Sequence, residues 1–400
     1  MVEKTDSAEV EVLALEGRLR PLTYQVPPAL REKVAVGSLV KIPILKRVVP
    51  GIVRRMGGDK TIPRARLRMI HCLEHPFPVL TEKLLELAQW MARYYMAPLG
   101  NVFETMIPAP VRKGAREAEQ RFVKIEKQLS AEELEKLKKR SPKQAQCYEF
   151  LKEQANELPR ALVLSRLKLS ASTLDALVEK GIVAQFSKTR HRHAYDDDLA
   201  HAEKVDPKPF ELNEEQRAAF DDICNSIDAQ KFRAHLLHGV TGSGKTEVYL
   251  QAIRHTLKAG RDVVYLVPEV ALTPQTVGRL RARLADLDTG IVVWHSQLSD
   301  GERFDAWKAL ATGQARVVVG ARSAVFAPLK NVGLVIVDEE HEPAYKQEEA
   351  PRYHGRDTAV YRAMLEKAVC VLGSATPSFE SMLNAKRGRY KLNTLLKRVD

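Results

Sequence analysis

Beyond residue 210 the chain carries six short apolar runs: A-H-L-L-H, V-V-Y-L-V, I-V-V-W-H, R-V-V-V-G, G-L-V-I-V-D and V-C-V-L-G. Each has the length of a strand and the continuous apolar character of one buried on both faces. Helical patterns separate most of them, which is the signature of a mainly parallel α/β sheet with covered faces. Five of the runs end directly in polar or Gly/Pro-rich segments. Open α/β sheets place their ligand sites at those carboxyl ends.

The first run leads into Gly239, Val240, Thr241, Gly242, Ser243, Gly244, Lys245 and Thr246, the spacing G-x-x-x-x-G-K-T, and the helical pattern E-V-Y-L-Q-A-I follows. With background frequencies of about 0.07 for Gly, about 0.06 for Lys and about 0.12 for Ser plus Thr, chance produces it in roughly one chain of this length in a hundred. Its backbone N–H groups can point at a β-phosphate from the helix N-terminus. Lys245 can reach the β- and γ-phosphates, and the Thr246 hydroxyl can hold Mg2+. A glycine-rich turn with an exposed lysine is the plain alternative, and the strand–loop–helix context argues against it. The spacing predicts a nucleoside triphosphate site.

A later run, L-V-I-V-D-E-E-H from Leu334 to His341, ends in adjacent carboxylates at Asp338 and Glu339. The first is placed to hold Mg2+ and the second to orient and deprotonate an attacking water. A kinase must exclude water, so the pair favours hydrolysis over phosphoryl transfer to a small molecule.

Four hundred residues exceed one core, and two or three domains are expected. No apolar run approaches the roughly 20 residues that span a bilayer. The start, M-V-E-K-T-D-S-A-E, lacks a secretory pattern. Cys72, Cys147, Cys224 and Cys370 are far apart, which suits a reducing cytoplasm and offers no zinc ribbon. The net charge of +12 is concentrated: residues 17–68 hold thirteen Lys or Arg, Arg54 and Arg55 among them, against only Glu32 and Asp59. A solvated face is the bland reading; a phosphate-backbone footprint fits the one-sidedness better, with an anionic membrane surface behind it.

Residues 9 to about 70 show short β-type runs split by Pro-Pro and Gly-Gly-Asp turns, as in a small β-barrel or sandwich. Thr81 caps a helix whose stripe is Leu84, Leu85, Leu87, Ala88, Met91 and Tyr95. Residues 113–140 read as charged and solvated. Helices near Pro142, over 160–167 and after Ser170, then I-V-A-Q-F as a strand, outline a winged helix or a plain helical packing module. The stretch His191 to His201 reads as linker, not metal site. The expected domains are 1–110, 111–205 and 206–400.

D-E-E-H with G-S-A-T at Gly373 to Thr376 is the motif II and III pairing of superfamily-two helicases. P-E-V-A-L-T-P-Q from Pro268, H-S-Q-L-S from His295, G-A-R-S-A-V-F-A-P from Gly320 and Y-K-Q-E-E-A-P-R-Y-H-G-R-D from Tyr345 narrow the match. So do W-M-A-R-Y-Y-M-A-P-L-G from Trp90 and R-S-P-K-Q from Arg140. Together they resemble the PriA family of bacterial replication-restart helicases, along the whole chain. The resemblance implies a RecA-like lobe, ATP and Mg2+, and 3′ to 5′ movement on single-stranded DNA by a cytoplasmic, monomeric protein acting at forks near the nucleoid. Single-stranded-DNA-binding protein and other primosome proteins would be its partners, and no membrane. The basic N-terminal domain would recognise a nascent 3′ end and the winged helix the duplex arms. Lys245, Asp338 and Glu339 would be catalytic; His341, Ser374 and Thr376 would couple hydrolysis to DNA; Gln216 would read adenine. Tyr345 to Asp357 would be an aromatic-rich loop. Tyr345, Tyr353 and His354 would offer stacking faces, and Lys346, Arg352 and Arg356 phosphate contacts, with Arg322 beside them. Leu22-Thr23-Tyr24 stands where the family commonly has Phe-Asp-Tyr, and Ala321 where motif Ib commonly has Thr. Few residues follow Thr376, so a second lobe with its arginine finger and a zinc-binding insertion are expected outside this chain, leaving half an ATPase site. The rivals are a motor subunit of a restriction or repair complex and a fork-binding adaptor with a vestigial ATPase.

Overall fold

A computed structural model describes residues 8–15, 20–59, 61–115, 118–154, 157–190, 210–287 and 289–399. Two compact units divide the chain. Both ends, Met1–Ala115 and Arg192–Asp400, build the first, and Arg116–His191 builds the second. The expected linker from His191 to His201 lies outside the described residues.

In the first unit, β1 (Glu9–Ala14), β2 (Leu22–Gln25), β3 (Leu39–Ile44), β4 (Arg47–Met56) and β5 (Cys72–Leu73) form one antiparallel sheet in the order β2-β1-β4-β3-β5. Val10, Val12, Tyr24, Val40, Ile42 and Val53 fill its core. A single bridge between Gln25 and Met69 links the β2 edge to the segment entering β5. Thr81 caps the helix Glu82–Tyr94 by accepting from Leu84 N, and Leu84, Leu85, Leu87, Ala88 and Met91 are buried, as the periodicity predicts. This helix packs on the α/β part of the same unit. Trp90 stacks on Tyr361, and Trp307 Nε1 donates to Val79 O at 3.0 Å.

In the second unit, β6 (Ala118–Ile125) pairs with β7 (Leu158–Pro159) and with β8 (Val183–Arg190). Helices Pro142–Glu153, Arg160–Leu167 and Ala171–Glu179 match the expected three. The expectation of a solvated segment over 113–140 is corrected. Eight of its residues are β6, and Ser130 and Glu133 form a capping box on the helix Ala131–Arg140. Val123, fully buried, pulls β6 into the core between Phe122 and Lys124.

All six apolar runs are strands: β9 (Arg233–Gly239), β10 (Asp262–Leu266), β11 (Gly290–Trp294), β12 (Ala315–Gly320), β13 (Val332–Val337) and β14 (Val369–Ser374). A seventh, β15 (Tyr390–Leu395), completes a fully parallel sheet in the order β11-β12-β10-β13-β14-β9-β15. The phosphate-loop strand β9 and the acidic strand β13 flank β14, so their carboxyl ends open onto one site. No helix among the described residues is long and apolar enough to cross a membrane.

Candidate nucleotide-binding site

Strand β9 delivers Gly239, and the chain then turns through Gly242 and Gly244, at φ +80° and +77°, into the helix Lys245–Lys258. Those left-handed values favour glycine. At Gly244 space adds a second constraint, because a Cβ would lie 2.3 Å from Gln216 Nε2. Lys245, 8% exposed, donates to Gly239 O at 2.8 Å and reaches Glu339 Oε1 at 3.9 Å. Ser243 Oγ is buried without a hydrogen-bond partner among the described residues. Thr241 and Thr246 are exposed on the loop and on the first helical turn, while Val240 is half-buried. An orphaned hydroxyl, exposed loop residues and a folded-back lysine at a helix N-terminus suit a polyphosphate.

Gln216 braces the phosphate loop in the structure. Its oxygen accepts from Asn213 N at 3.0 Å, closing a capping box, and its Nε2 donates to Ser243 O at 2.9 Å. The oxygen and one N–H are thus taken up in bracing the phosphate loop.

Asp338 follows β13 and is held from two sides. Its Oδ1 accepts from Tyr249 OH and from Glu339 N, both at 3.1 Å, and its carbonyl accepts from Tyr345 OH at 2.7 Å. Burial, and then the neighbouring Glu339 charge, push its carboxyl up to about 6. A cation at this point would restore the ionised form. Glu339 has φ +43°, unusual for a side chain with a Cβ, and this turns its carboxylate back toward Lys245. Its other oxygen is 3.7 Å from His341 Nδ1. That nitrogen also contacts Ser374 Oγ at 2.8 Å, while His341 Nε2 contacts Thr376 Oγ1 at 3.4 Å. Lys245, Glu339, His341, Ser374 and Thr376 therefore form one connected set.

Two contributors escaped the sequence reading. Tyr249, on the phosphate-loop helix, reaches Asp338 only because Gly373 leaves room; a Cβ there would be 1.5 Å from its hydroxyl. Glu340, fully buried, accepts from Ser378 N, Ser378 Oγ, Ser381 Oγ and Arg356 Nη1. A third consecutive acid after an apolar strand was the available signal.

The aromatic-rich loop requires a correction. Tyr345 and Tyr353 are each 1% exposed, and their rings are packed away from solvent. Tyr345 is pinned to Asp338 O, and Tyr353 lies against Phe326 under the Arg322 guanidinium. Arg356 is buried between Glu340 and Asp357. Close packing, not solvent, claims these three. His354 is half-buried, and Lys346 and Arg352 stand exposed. Arg322 donates to the carbonyls of Ala344 and Lys346, fixing the loop's entry. In the N-terminal sheet none of the described Lys or Arg of residues 17–68 is buried. Arg54 and Arg55 both pair with Glu11, at 3.4 and 3.2 Å. Thr23 Oγ1 accepts from Asp59 N at 3.0 Å.

Residues 12–108 match the family described as 3′DNA-binding domain (3′BD) of PriA, and residues 213–385 match DEAD/DEAH box helicase. A relative named replication restart protein PriA from Bacillus subtilis (strain 168) is 33% identical over 95% of this chain and 54% of its own length. The Chlamydia pneumoniae protein of that name is 37% identical over 97% of this chain and 51% of its own. The Haemophilus influenzae protein is 34% identical over 95% and 50%. The chain spans about half the length of these curated relatives. With a 3′DNA-binding region and a helicase region in this order on one chain, it belongs to the PriA family of replication restart proteins.

Proposed function

We propose that this chain forms the DNA-recognising and first motor portion of an ATP-dependent helicase of replication restart, which moves 3′ to 5′ on single-stranded DNA and prepares abandoned forks for replisome reloading. The observation that carries the reading is the convergence of Lys245 and Glu339 to 3.9 Å at the mouth of the phosphate loop, with His341, Ser374 and Thr376 extending the set away from it. Lys245 would leave the Gly239 carbonyl for the β- and γ-phosphates. Glu339, already turned toward that space, would orient and deprotonate water. Thr246 and Asp338 would hold Mg2+, which supplies charge neutralisation on the phosphates. The connected hydroxyls of Ser374 and Thr376 would report hydrolysis to the DNA-facing loops.

In the same reading the N-terminal sheet is a small barrel that takes the 3′ end of a nascent strand. The second unit, through three of its four described helices and the β6–β8 ribbon, is a winged helix on the duplex arms. Lys346, Arg352 and Arg322 are the single-strand contacts. Forked DNA, single-stranded-DNA-binding protein and other primosome proteins are the partners, in a bacterial cytoplasm. The test uses the protein at the length of its PriA relatives. Lys245→Ala is expected to abolish DNA-stimulated ATP hydrolysis. Glu339→Gln is expected to keep ATP binding and stop turnover by a hundredfold or more, on the order of a lost general base. Turnover at the parental rate in Glu339→Gln would remove Glu339 from the chemistry.

A further inference from the structure

The helix Glu82–Tyr94 ends against the aromatic-rich loop through groups that the nucleotide site does not use. Trp90 stacks on Tyr361 with centroids 4.0 Å apart and planes 9° from parallel. Tyr95, just past the helix end, lies edge-on to Trp90 and Tyr94. Its hydroxyl accepts from His354 N at 3.1 Å, and Lys346 Nζ lies 5.7 Å from its ring centroid. Lys346 and His354 face each other as an antiparallel bridge, and Gln347 N donates to Tyr353 O at 2.8 Å. Tyr95 therefore touches both arms of the loop at its neck. Arg322 donates to Lys346 O on the first arm and lies over the Tyr353 ring of the second, and Tyr345 joins the first arm to Asp338.

We propose that Tyr95 is a positioning residue, by which the N-terminal DNA-binding region holds the neck of the Tyr345–Asp357 loop and through it the Tyr345–Asp338 contact at the nucleotide site. This rests on the reading of the loop, with Lys346 and Arg352, as the single-strand contact. Packing alone does not need the hydroxyl. The Trp90–Tyr361 stack joins the two surfaces, and phenylalanine would fill the same space. What the hydroxyl adds is a directed bond to a backbone N–H in the arm opposite Lys346. Without it the arms keep their own bridge, the Lys346 Nζ bond to Arg352 O and the Arg322 contacts, but lose the directed bond from Tyr95. A loop loosened at its neck reaches single-stranded DNA in many arrangements, few of which place Tyr345 on Asp338.

The test compares Tyr95→Phe, Trp90→Phe and Arg352→Ala in the protein at the length of its PriA relatives. Amide exchange and ATP hydrolysis are read with and without an oligo-dT strand. Tyr95→Phe is expected to speed exchange of the His354 amide at least about tenfold, on the order of losing one buried bond, while amides of β9 to β14 keep their rates. The ratio of oligo-dT-stimulated to unstimulated hydrolysis should fall by a similar factor. Trp90→Phe should lower the melting temperature and leave that ratio intact. Unchanged His354 exchange in Tyr95→Phe overturns the proposal, and so does faster exchange with an unchanged stimulation ratio. A ratio lost in Arg352→Ala but kept in Tyr95→Phe leaves the loop as the DNA contact and removes Tyr95 from its control. A ratio kept in both removes the loop reading and the proposal together.

Discussion

Asp338 is a carboxylate placed where a carboxylate is hard to ionise. Its folded value of about 6 lies above the ordinary 3.8, with burial the larger cause and Glu339 the second. An acid raised in this way binds its proton more tightly in the folded than in the unfolded chain. Between pH 4 and 6 stability therefore falls as pH rises, and above 6 the full cost is present. In Mg2+-free buffer, Asp338→Asn is expected to stabilise the chain at pH 8 by about 3 kcal/mol, from the size of the shift. The gain should shrink as pH falls through 6 and vanish below about 4. Thermal melts across that range check it, and a gain that persists at pH 4 would place its origin elsewhere. Asn can still accept from Tyr249 OH and Glu339 N, so the substitution isolates charge from hydrogen bonding.

Elements buried on both faces were legible because their pattern is simple. The six apolar runs became six adjacent strands of the parallel sheet, from the β11 edge to β9, with the phosphate loop and the acidic pair at their carboxyl ends. β15 was missed because an edge strand alternates: Asn393 and Leu395 point inward while Leu392 and Thr394 are exposed. β6 was missed because, among its described side chains, only Val123 is fully buried while Arg121 and Lys124 are exposed, so composition hid the register with β8. The adjacent carboxylates at the end of β13 were read from spacing, whereas the fate of Tyr345, Tyr353 and Arg356 depends on distant partners that no local pattern reveals. Glu340 belongs to the same class. It anchors the start of the helix Phe379–Lys386 through two serines and meets Arg356 in a buried pair. Glu340→Gln leaves that guanidinium with less charge opposite it, and a loss of about 3 kcal/mol is expected from breaking a buried pair. The urea midpoint measures it; an unchanged midpoint would show that Asp357 suffices for Arg356.

The whole molecule is electrostatically lopsided. Its excess charge is concentrated in residues 17–68, and among the described residues Glu11 neutralises part of the Arg54 and Arg55 pair. If about six phosphates are neutralised there, affinity for forked DNA should fall on the order of a thousandfold between ~50 and ~200 mM salt. Charge reversal at Arg54 and Arg55 should weaken binding for every sequence, and Glu11→Gln should strengthen it by releasing both guanidiniums. A fluorescence titration over salt decides; a flat salt response would remove the footprint. The division of the chain has a consequence of a different kind. Residues 116–191 interrupt a unit built from both ends, and Trp307 meets Val79 across 228 residues. At synthesis rates of about 5–20 residues per second, the ribosome needs roughly ten to fifty seconds to supply that partner. Meanwhile Trp90 has emerged without Tyr361, and the intervening unit has had time to close. The nascent chain thus holds part of an apolar helix face without its partner for an interval set by translation, which makes this face the natural point for a holding chaperone to grip.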